Sequence, residues 1–161
     1  MRICSMELGN LDCHEAGLQL LEKLYREEMG NPMPQILRTD RGKPYFADGK
    51  VYFSLSHTKK RVFCVLSDKP VGVDAEEIDR NIDLRLAQKV LSAPEREQYE
   101  KAQDKQEALL QFWVLKEALV KCSGEGLRGY PNHTAFSLDD PRLQELDGCF
   151  VAVIEEDKNA V

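Results

Sequence analysis

Hydrophobic and polar positions follow two different periods along the chain, and this pattern predicts the order of its elements. The opening RICSMEL fits a short strand. Apolar residues then recur at helical spacing from His14 to Met29, just before Gly30 and two prolines. We therefore expect one strand and one long helix ahead of Pro34.

The middle of the chain changes to a strand pattern, because residues 35–78 are rich in β-branched and aromatic side chains. Turn signals cut this stretch at Arg41-Gly42, Asp48-Gly49 and Lys69-Pro70. From Asp83 to Gly124 the period becomes helical again, and three helices are predicted in DLRLAQKVL, SAPEREQYEKA and KQEALLQFWVLKEALVKCSG. Two short strands, TAFSL and CFVAVIEE, should close the chain.

Composition and charge narrow the classes of partner. The 161 residues are 42% apolar and 31% charged, which is typical of a soluble globular chain. The formal net charge of −6 disfavours coating of nucleic acid or an anionic membrane, so neither is expected as a partner. The sequence has no apolar run of about 18 residues and no signal-peptide pattern, so we expect a cytoplasmic protein. The five cysteines form no C-x-x-C pair, which argues against a disulfide framework or a zinc site.

Two acidic residues lie two positions apart in the strand pattern VGVDAEEI. Alternation puts the apolar side chains on one face, which holds Val71, Val73 and Ala75. The other face carries Gly72, Asp74 and Glu76. Carboxylates about 7 Å apart on one strand can lean toward one hard cation, and oxygen ligands favour Mg²⁺ or Mn²⁺ over zinc. The alternative interpretation is a solvated polar face on an edge strand.

The helix pattern FWVLKEALVKCSGEGL contains charged residues where a buried face is expected. Its apolar arc is made of Leu109, Phe112, Trp113, Leu119 and Val120. Lys116 and Glu117 fall inside or beside that arc, so the helix either buries charge or lines a cleft with it. A surface i,i+4 pair of Glu117 with Lys121, worth about 0.3–0.5 kcal/mol, would explain both of them. That alternative leaves Lys116 unexplained.

Basic residues cluster after the strand pattern VYFSLSHT, which runs into Ser56 and His57 and is followed by Lys59 to Arg61. Hydroxyl, imidazole and clustered cations are suited to gripping an anion. A Ser-His pair also suits a hydrolase, but adjacent strand residues point to opposite faces, so a catalytic triad is disfavoured. The alternatives are a structural hydrogen bond for His57 and a solvated turn position for Lys43 in RGKPYF.

In this order, GKPYF, FSLSHT, VGVDAEEID and FWVLKEALVKCSGEGL resemble the motifs of the Sfp-type 4'-phosphopantetheinyl transferases, from about residue 41 to residue 127. The resemblance implies an α+β fold of two unequal, pseudo-symmetric α/β halves with a cleft between them. We place a reduced first half at residues 1–68 and a second half, which carries the metal site, at residues 69–161. Two fused halves favour a monomer over a dimer.

The resemblance also implies the reaction and the site. In this family, the 4'-phosphopantetheine moiety of coenzyme A is moved, with Mg²⁺, to a serine of an apo acyl or peptidyl carrier protein, and adenosine 3',5'-bisphosphate is released. By motif position the metal ligands, for Mg²⁺ or Mn²⁺, are Asp74, Glu76 and Glu117. The positions that match contacts to coenzyme A are Lys43, Ser56, His57, Lys116 and Lys121.

Catalytic roles follow from the same resemblance. Glu117, directly or through a water molecule, is the preferred base for the carrier serine, while Lys116 and Lys121 lie near the pyrophosphate. Relatives tend to open the first long helix with a cation, whereas this chain has His14-Glu15. Recognition of the coenzyme A 3'-phosphate would then shift to Lys43, His57 and the Lys59 to Arg61 cluster.

Partner docking and two other functions complete the expectations. The Lys59 to Arg61 cluster and Arg128 would form a basic rim for an acidic carrier. A catalytically weak module that binds coenzyme A or a carrier protein is one alternative to a transferase, and a metal-dependent phosphohydrolase is another. Retention of all three carboxylates argues against a silent module.

Overall fold

The structure, a computed structural model, describes residues 1–126 and 134–156. Its elements follow closely the order expected from the pattern. They are β1 (Arg2–Glu7), α1 (Cys13–Met29), β2 (Ile36–Arg38), β3 (Pro44–Phe46), β4 (Tyr52–His57), β5 (Arg61–Ser67), β6 (Val71–Glu77), a 3₁₀ turn (Leu84–Leu86), α2 (Ala87–Val90), α3 (Ala93–Lys101), α4 (Lys105–Ser123), β7 (Leu143–Leu146) and β8 (Cys149–Glu155).

Two three-stranded antiparallel sheets and a short hairpin make up the β structure. The first sheet has β5 between β1 and β4, and the second has β8 between β6 and β7. The strands β2 and β3 pair with each other. The helix α1 packs on the first sheet and α4 on the second. This is a mixed α/β architecture, while the pseudo-symmetry, the cleft between halves and the boundary at residue 68 stay predictions.

The ends of α1 are set by local signals. The Asp12 carboxylate accepts hydrogen bonds from the backbone N–H groups of His14 and Glu15 at 2.8 and 2.9 Å, and Gly30 ends the helix with φ 69°. The apolar face of α1 is buried through Leu20, Leu21, Leu24 and Tyr25. The helix predicted from His14 to Met29 is confirmed, and it begins one residue earlier.

The contact between α4 and β6 decides what faces the site. A Cβ atom at Gly72 would overlap the Ala118 carbonyl oxygen and the Cys122 nitrogen, so the helix lies directly on the strand backbone. The Asp104 carboxylate caps the start of α4, and Gly124, with φ 69°, ends it. Because the approach is so close, residues on the same side of α4 come within reach of the side chains beside Gly72.

Serine hydroxyls join β4 to β6 where the two sheets meet. Ser54 Oγ accepts from Val73 N and Ser56 Oγ accepts from Ala75 N, each at 3.1 Å. On the other face of β6, a buried cluster forms as the alternation predicted, and it contains Val71, Val73, Ala75, Phe63, Val65 and Val151. The polar face of β6 is therefore turned toward α4 and β4 rather than toward open water.

One predicted strand is wrong. Residues 134–138 of TAFSL form no strand, because the side chains of α3 take their backbone donors: Phe136 N donates to Glu95 Oε1 at 2.9 Å and Leu138 N donates to Gln98 Oε1 at 3.1 Å. The strand is β7 instead, joined to β8 by Asp147 and Gly148 with φ of 52° and 76°. Asp-Gly is a common two-residue hairpin turn, but the prediction from the sequence did not use this pair.

Predictions from the sequence also concerned the cysteines and membrane-spanning segments. All five cysteines are free thiols, and Cys64, Cys122 and Cys149 are buried. Among the helices of the described residues, none combines the length and the apolar character needed to cross a membrane.

Candidate active site

Asp74 lies at the centre of the site, with its side chain only 9% exposed. Its Oδ1 atom accepts hydrogen bonds from Lys121 Nζ at 2.7 Å and from Ser56 Oγ at 3.1 Å. Its Oδ2 atom is buried and has no hydrogen-bond partner among the described residues. A buried carboxylate oxygen without a partner is costly, so this atom is a candidate for binding a positively charged ligand.

The carboxylate of Asp74 acts electrostatically on Glu76, two residues later on β6, and on Glu117 of α4, and the three residues are called the acidic cluster below. Glu76 is half-buried on β6 and contacts the guanidinium of Arg80. Burial raises the pKa of Glu76, the Arg80 hydrogen bond opposes the rise, and the Asp74 carboxylate adds to it. Burial also raises the pKa of Glu117 on α4, again with a contribution from Asp74. The three acids therefore share one electrostatic environment.

The ligand atoms of the acidic cluster are of the type that a hard divalent cation prefers. Carboxylate oxygens are the ligands that Mg²⁺ and Mn²⁺ prefer, and Asp74 Oδ2 is an unpartnered, buried donor of that kind. Within residues 1–126 and 134–156, however, no three Asp, Glu, His or Cys side chains converge tightly enough to hold one ion in the conformation seen. The carboxylates of the acidic cluster would have to move for all three acids to bind one ion.

Ser56 and His57 point to opposite faces of β4, as adjacent strand residues must. Ser56 is buried, and it donates to Asp74 and accepts from Ala75 N, so it holds the acidic strand in place. His57 is exposed and lines an open groove of about 1040 Å³ together with Glu76 and Arg80. Of the acidic cluster, Glu76 lines this groove.

Lys43 lies at the C-terminal end of α4. Its ammonium group donates to the Cys122 carbonyl oxygen, and burial lowers the pKa of the lysine. Lys43 lines a cavity of about 280 Å³ that Ser54, Lys121 and Gly124 also line. Lys43 and Lys121 thus border one cavity, and Lys121 links it to Asp74.

Lys116 is not brought to the acidic cluster. Its side chain is 0% exposed, and its Nζ lies 2.9 Å from Glu95 Oε2 on α3. Glu95 is equally buried, and it also accepts from Ser92 N at 2.8 Å and from Phe136 N at 2.9 Å. The charge that the sequence left unexplained is therefore paired in the core between α3 and α4.

The expected basic rim is mostly paired with acids of the chain itself. Lys60 lies 3.7 Å from Glu77, and Arg61 lies 3.0 Å from Glu7 and 3.5 Å from Asp147. Lys59 is exposed and lines the groove with His57. Arg128, the other residue expected at the rim, lies outside the described residues.

Sequence reasoning missed two residues that the structure brings to these charges. Arg80 lies four positions after Glu76, a spacing that signals a pair only within a helix, whereas here a turn brings the two together. Glu95 was visible as the fourth residue of the capping box that begins at Ser92. A capping role gave no indication that the same carboxylate reaches Lys116.

A family model described as the 4'-phosphopantetheinyl transferase superfamily matches residues 70–152, which include the whole acidic cluster. The chain is 32% identical over 132 residues to 4'-phosphopantetheinyl transferase gsp of Aneurinibacillus migulanus, covering 80% of this chain and 54% of that protein. It is 34% identical over 130 residues to 4'-phosphopantetheinyl transferase psf-1 of Bacillus pumilus, covering 77% and 55%. The chain spans about half the length of these curated relatives. It belongs to the 4'-phosphopantetheinyl transferase superfamily.

Proposed function

We propose that this chain transfers the 4'-phosphopantetheine moiety of coenzyme A to a serine of an apo acyl or peptidyl carrier protein, with Mg²⁺ as the metal. The observation that carries the proposal is the acidic cluster with Lys121 in contact with Asp74, inside the segment that the family model matches. The relatives named 4'-phosphopantetheinyl transferase support the same reaction.

The acidic cluster would hold the metal through Asp74, Glu76 and Glu117. The unpartnered Asp74 Oδ2 supports this, and so do the raised pKa values of Glu76 and Glu117, which burial causes first and the neighbouring carboxylate of Asp74 increases. A bound Mg²⁺ would neutralise charge on the pyrophosphate of coenzyme A. Ser56 then acts through Asp74, because its hydroxyl fixes the position of that carboxylate.

Lys121, Lys43 and His57 would bind the anionic parts of coenzyme A. Lys121 is one-third exposed and borders the 280 Å³ cavity together with Lys43, so both cations can reach a ligand there. His57 and Lys59 line the larger groove, where they would meet a phosphate group. Lys116 has no exposure from which to bind a ligand, and we assign it to the buried pair with Glu95.

Glu117 is the best placed of the three acids to accept the proton of the carrier serine. Among the described residues its carboxylate forms no hydrogen bond or ion pair, whereas Asp74 is paired with Lys121 and Glu76 with Arg80. In the transfer, a bond forms between the serine oxygen and the phosphorus of the pantetheine arm. The bond from that phosphorus to the leaving adenosine 3',5'-bisphosphate breaks, and the serine proton passes to Glu117.

The test is incubation of the chain with coenzyme A, Mg²⁺ and an apo carrier protein, followed by mass spectrometry of the carrier. We expect the carrier to gain one phosphopantetheine group, and Asp74→Asn to reduce the rate at least about 100-fold through loss of a charge at the metal site. The matched control is Asp83→Asn, since Asp83 is exposed and paired with Arg85 away from the cluster.

Two other outcomes would contradict the proposal. Binding of coenzyme A without modification of the carrier would indicate a binding module. Release of adenosine 3',5'-bisphosphate in the absence of any carrier, at the same rate as in its presence, would indicate a phosphohydrolase.

A further inference from the structure

Two cations of the chain already occupy the acidic cluster. Lys121 Nζ lies 2.7 Å from Asp74 Oδ1, and the guanidinium of Arg80 contacts Glu76 Oε1. Asp74 Oδ2 and the Glu117 carboxylate have no such partner among the described residues. Three carboxylates therefore face two monovalent cations, and one negative charge is left over before any ligand binds.

The turn after β6 is what brings Arg80 to Glu76. Arg80 N donates to Glu77 O at 2.9 Å, and this turn returns the guanidinium to a carboxylate four residues earlier. The Arg80 side chain is 45% exposed, whereas that of Glu76 is 18% exposed. Arg80 can therefore leave into water while Glu76 stays in place, since exposed pairs of this kind contribute only about a factor of two to an equilibrium constant.

We infer that Arg80 is a resident counter-ion that a divalent cation displaces from Glu76, and that the released guanidinium then binds a phosphate of the donor substrate in the groove. The inference rests on the proposed function. A divalent ion added to the cluster would leave a positive excess with Lys121 and Arg80 both in place, so one of them is driven off. Arg80 is the more exposed of the two, and its planar guanidinium suits bidentate binding of phosphate oxygens.

The groove makes this exchange useful for binding. Its walls carry the basic groups His57, Lys59 and Arg80 and the acidic groups Asp12, Glu76, Glu77 and Asp79. While Arg80 is paired with Glu76, it adds little positive potential to this mixed surface. Once released, it shifts the balance toward anion binding, so the metal and the phosphate-bearing substrate should each favour binding of the other.

The first measurement is calorimetric titration of the full chain with Mn²⁺ alone. Arg80→Ala should bind Mn²⁺ about twofold more tightly than the wild type, because the pair that competes with the metal for Glu76 has been removed. Arg85→Ala is the matched control and should bind Mn²⁺ like the wild type. Arg85 lies on the same connection after β6, but it pairs with Asp83, and its side chain is 91% exposed.

The second measurement is the affinity for coenzyme A with and without Mn²⁺. In the wild type, Mn²⁺ should tighten the binding of coenzyme A. In Arg80→Ala, that metal-dependent gain should fall by about fivefold or more, and Arg80→Lys should restore part of it because a cation is returned. A residue that only stabilised the fold would change the affinity equally in both conditions.

The outcomes separate this inference from the function on which it rests. Unchanged or weaker Mn²⁺ binding by Arg80→Ala, or a metal-dependent gain equal to that of the wild type, would overturn the role of Arg80 while leaving the transferase proposal in place. A wild-type chain that bound neither Mn²⁺ nor coenzyme A would overturn both.

Discussion

The buried pair of Lys116 and Glu95 gives the sharpest test of where charge serves the fold and where it serves the site. Both side chains are 0% exposed, and the 2.9 Å contact joins α4 to α3. Lys116→Met keeps most of the side-chain volume but removes the ammonium group. The Glu95 carboxylate then loses the ammonium group of Lys116 and keeps the hydrogen bonds from Ser92 N and Phe136 N.

The expected cost follows from the burial. Removing one partner of a fully buried ion pair destabilises a protein by about 3–5 kcal/mol, because the remaining charge stays desolvated. The two backbone donors to Glu95 place Lys116→Met near the lower end, at about 3 kcal/mol. For a chain of 161 residues this corresponds to a fall in melting temperature of roughly 6–12 °C, measured by thermal unfolding with circular dichroism. A urea titration would measure the loss of unfolding free energy directly.

Lys101→Met is the matched control, because Lys101 forms an exposed i,i+4 pair with Glu97 and its loss should cost less than about 0.5 kcal/mol. Coenzyme A binding by folded Lys116→Met should stay within about twofold of the wild type. If Lys116→Met were as stable as the control but bound coenzyme A tenfold more weakly, the structural assignment of Lys116 would be wrong. The role implied by the motif would then be correct.

Three further predictions concern backbone contact, positioning and thiol chemistry. Gly72→Ala should cost about 3 kcal/mol in urea denaturation and lower the transfer rate, because the new methyl group would push α4 away from β6. Ser56→Ala should cost about 1–2 kcal/mol in stability and weaken Mn²⁺ binding in a calorimetric titration, since Asp74 loses the hydroxyl that orients it. Burial raises the pKa of the Cys122 thiol. The rate of its alkylation by iodoacetamide, followed by mass spectrometry, should therefore begin to increase at a higher pH than the rate for a free cysteine.

Each of these predictions has a control within the chain. Gly17→Ala in α1 should be neutral or stabilising, because its new Cβ would lie 3.6 Å from the nearest atom of Leu55. Ser54→Ala is the control for Ser56→Ala, because it also removes a hydrogen bond between β4 and β6, the one that Val73 N donates to Ser54 Oγ. It should leave the affinity for Mn²⁺ unchanged. For Cys122, the shift should vanish in urea. Equal behaviour of a variant and its control would count against the corresponding geometry.

Local signals account for most of the elements that were predicted correctly. The cap at Asp12 and the glycine at position 30 define α1, and a similar pair, Asp104 and Gly124, defines α4. These signals act over one or two turns, so neighbouring residues are sufficient to show them. The failed strand at residues 134–138 has the opposite cause, because its backbone donors are taken by α3, some 40 residues away.

The residues of the candidate site could be predicted from the sequence, but the contacts among them could be predicted only in part. Alternation placed Asp74 and Glu76 on one face of β6, and the helical period put Glu117 near the apolar arc of α4. The same periodicity gave no way to choose between Lys116 and Lys121 as the partner of Asp74. Motif spacing kept both as ligands of coenzyme A, and it treated Ser56 as a ligand contact although the hydroxyl is turned inward to Asp74.

The sequence by itself determined most of the helices and strands, the apolar face of β6 and the set of charged residues available for chemistry, because periodicity and capping depend on near neighbours. Only the tertiary structure decided which charges meet. Asp74 finds its cation 47 residues away on α4, and Lys116 finds its carboxylate on α3. The rotation of α4 over Gly72 sets both contacts, since a charged side chain on a covered helix must face either a partner or the groove.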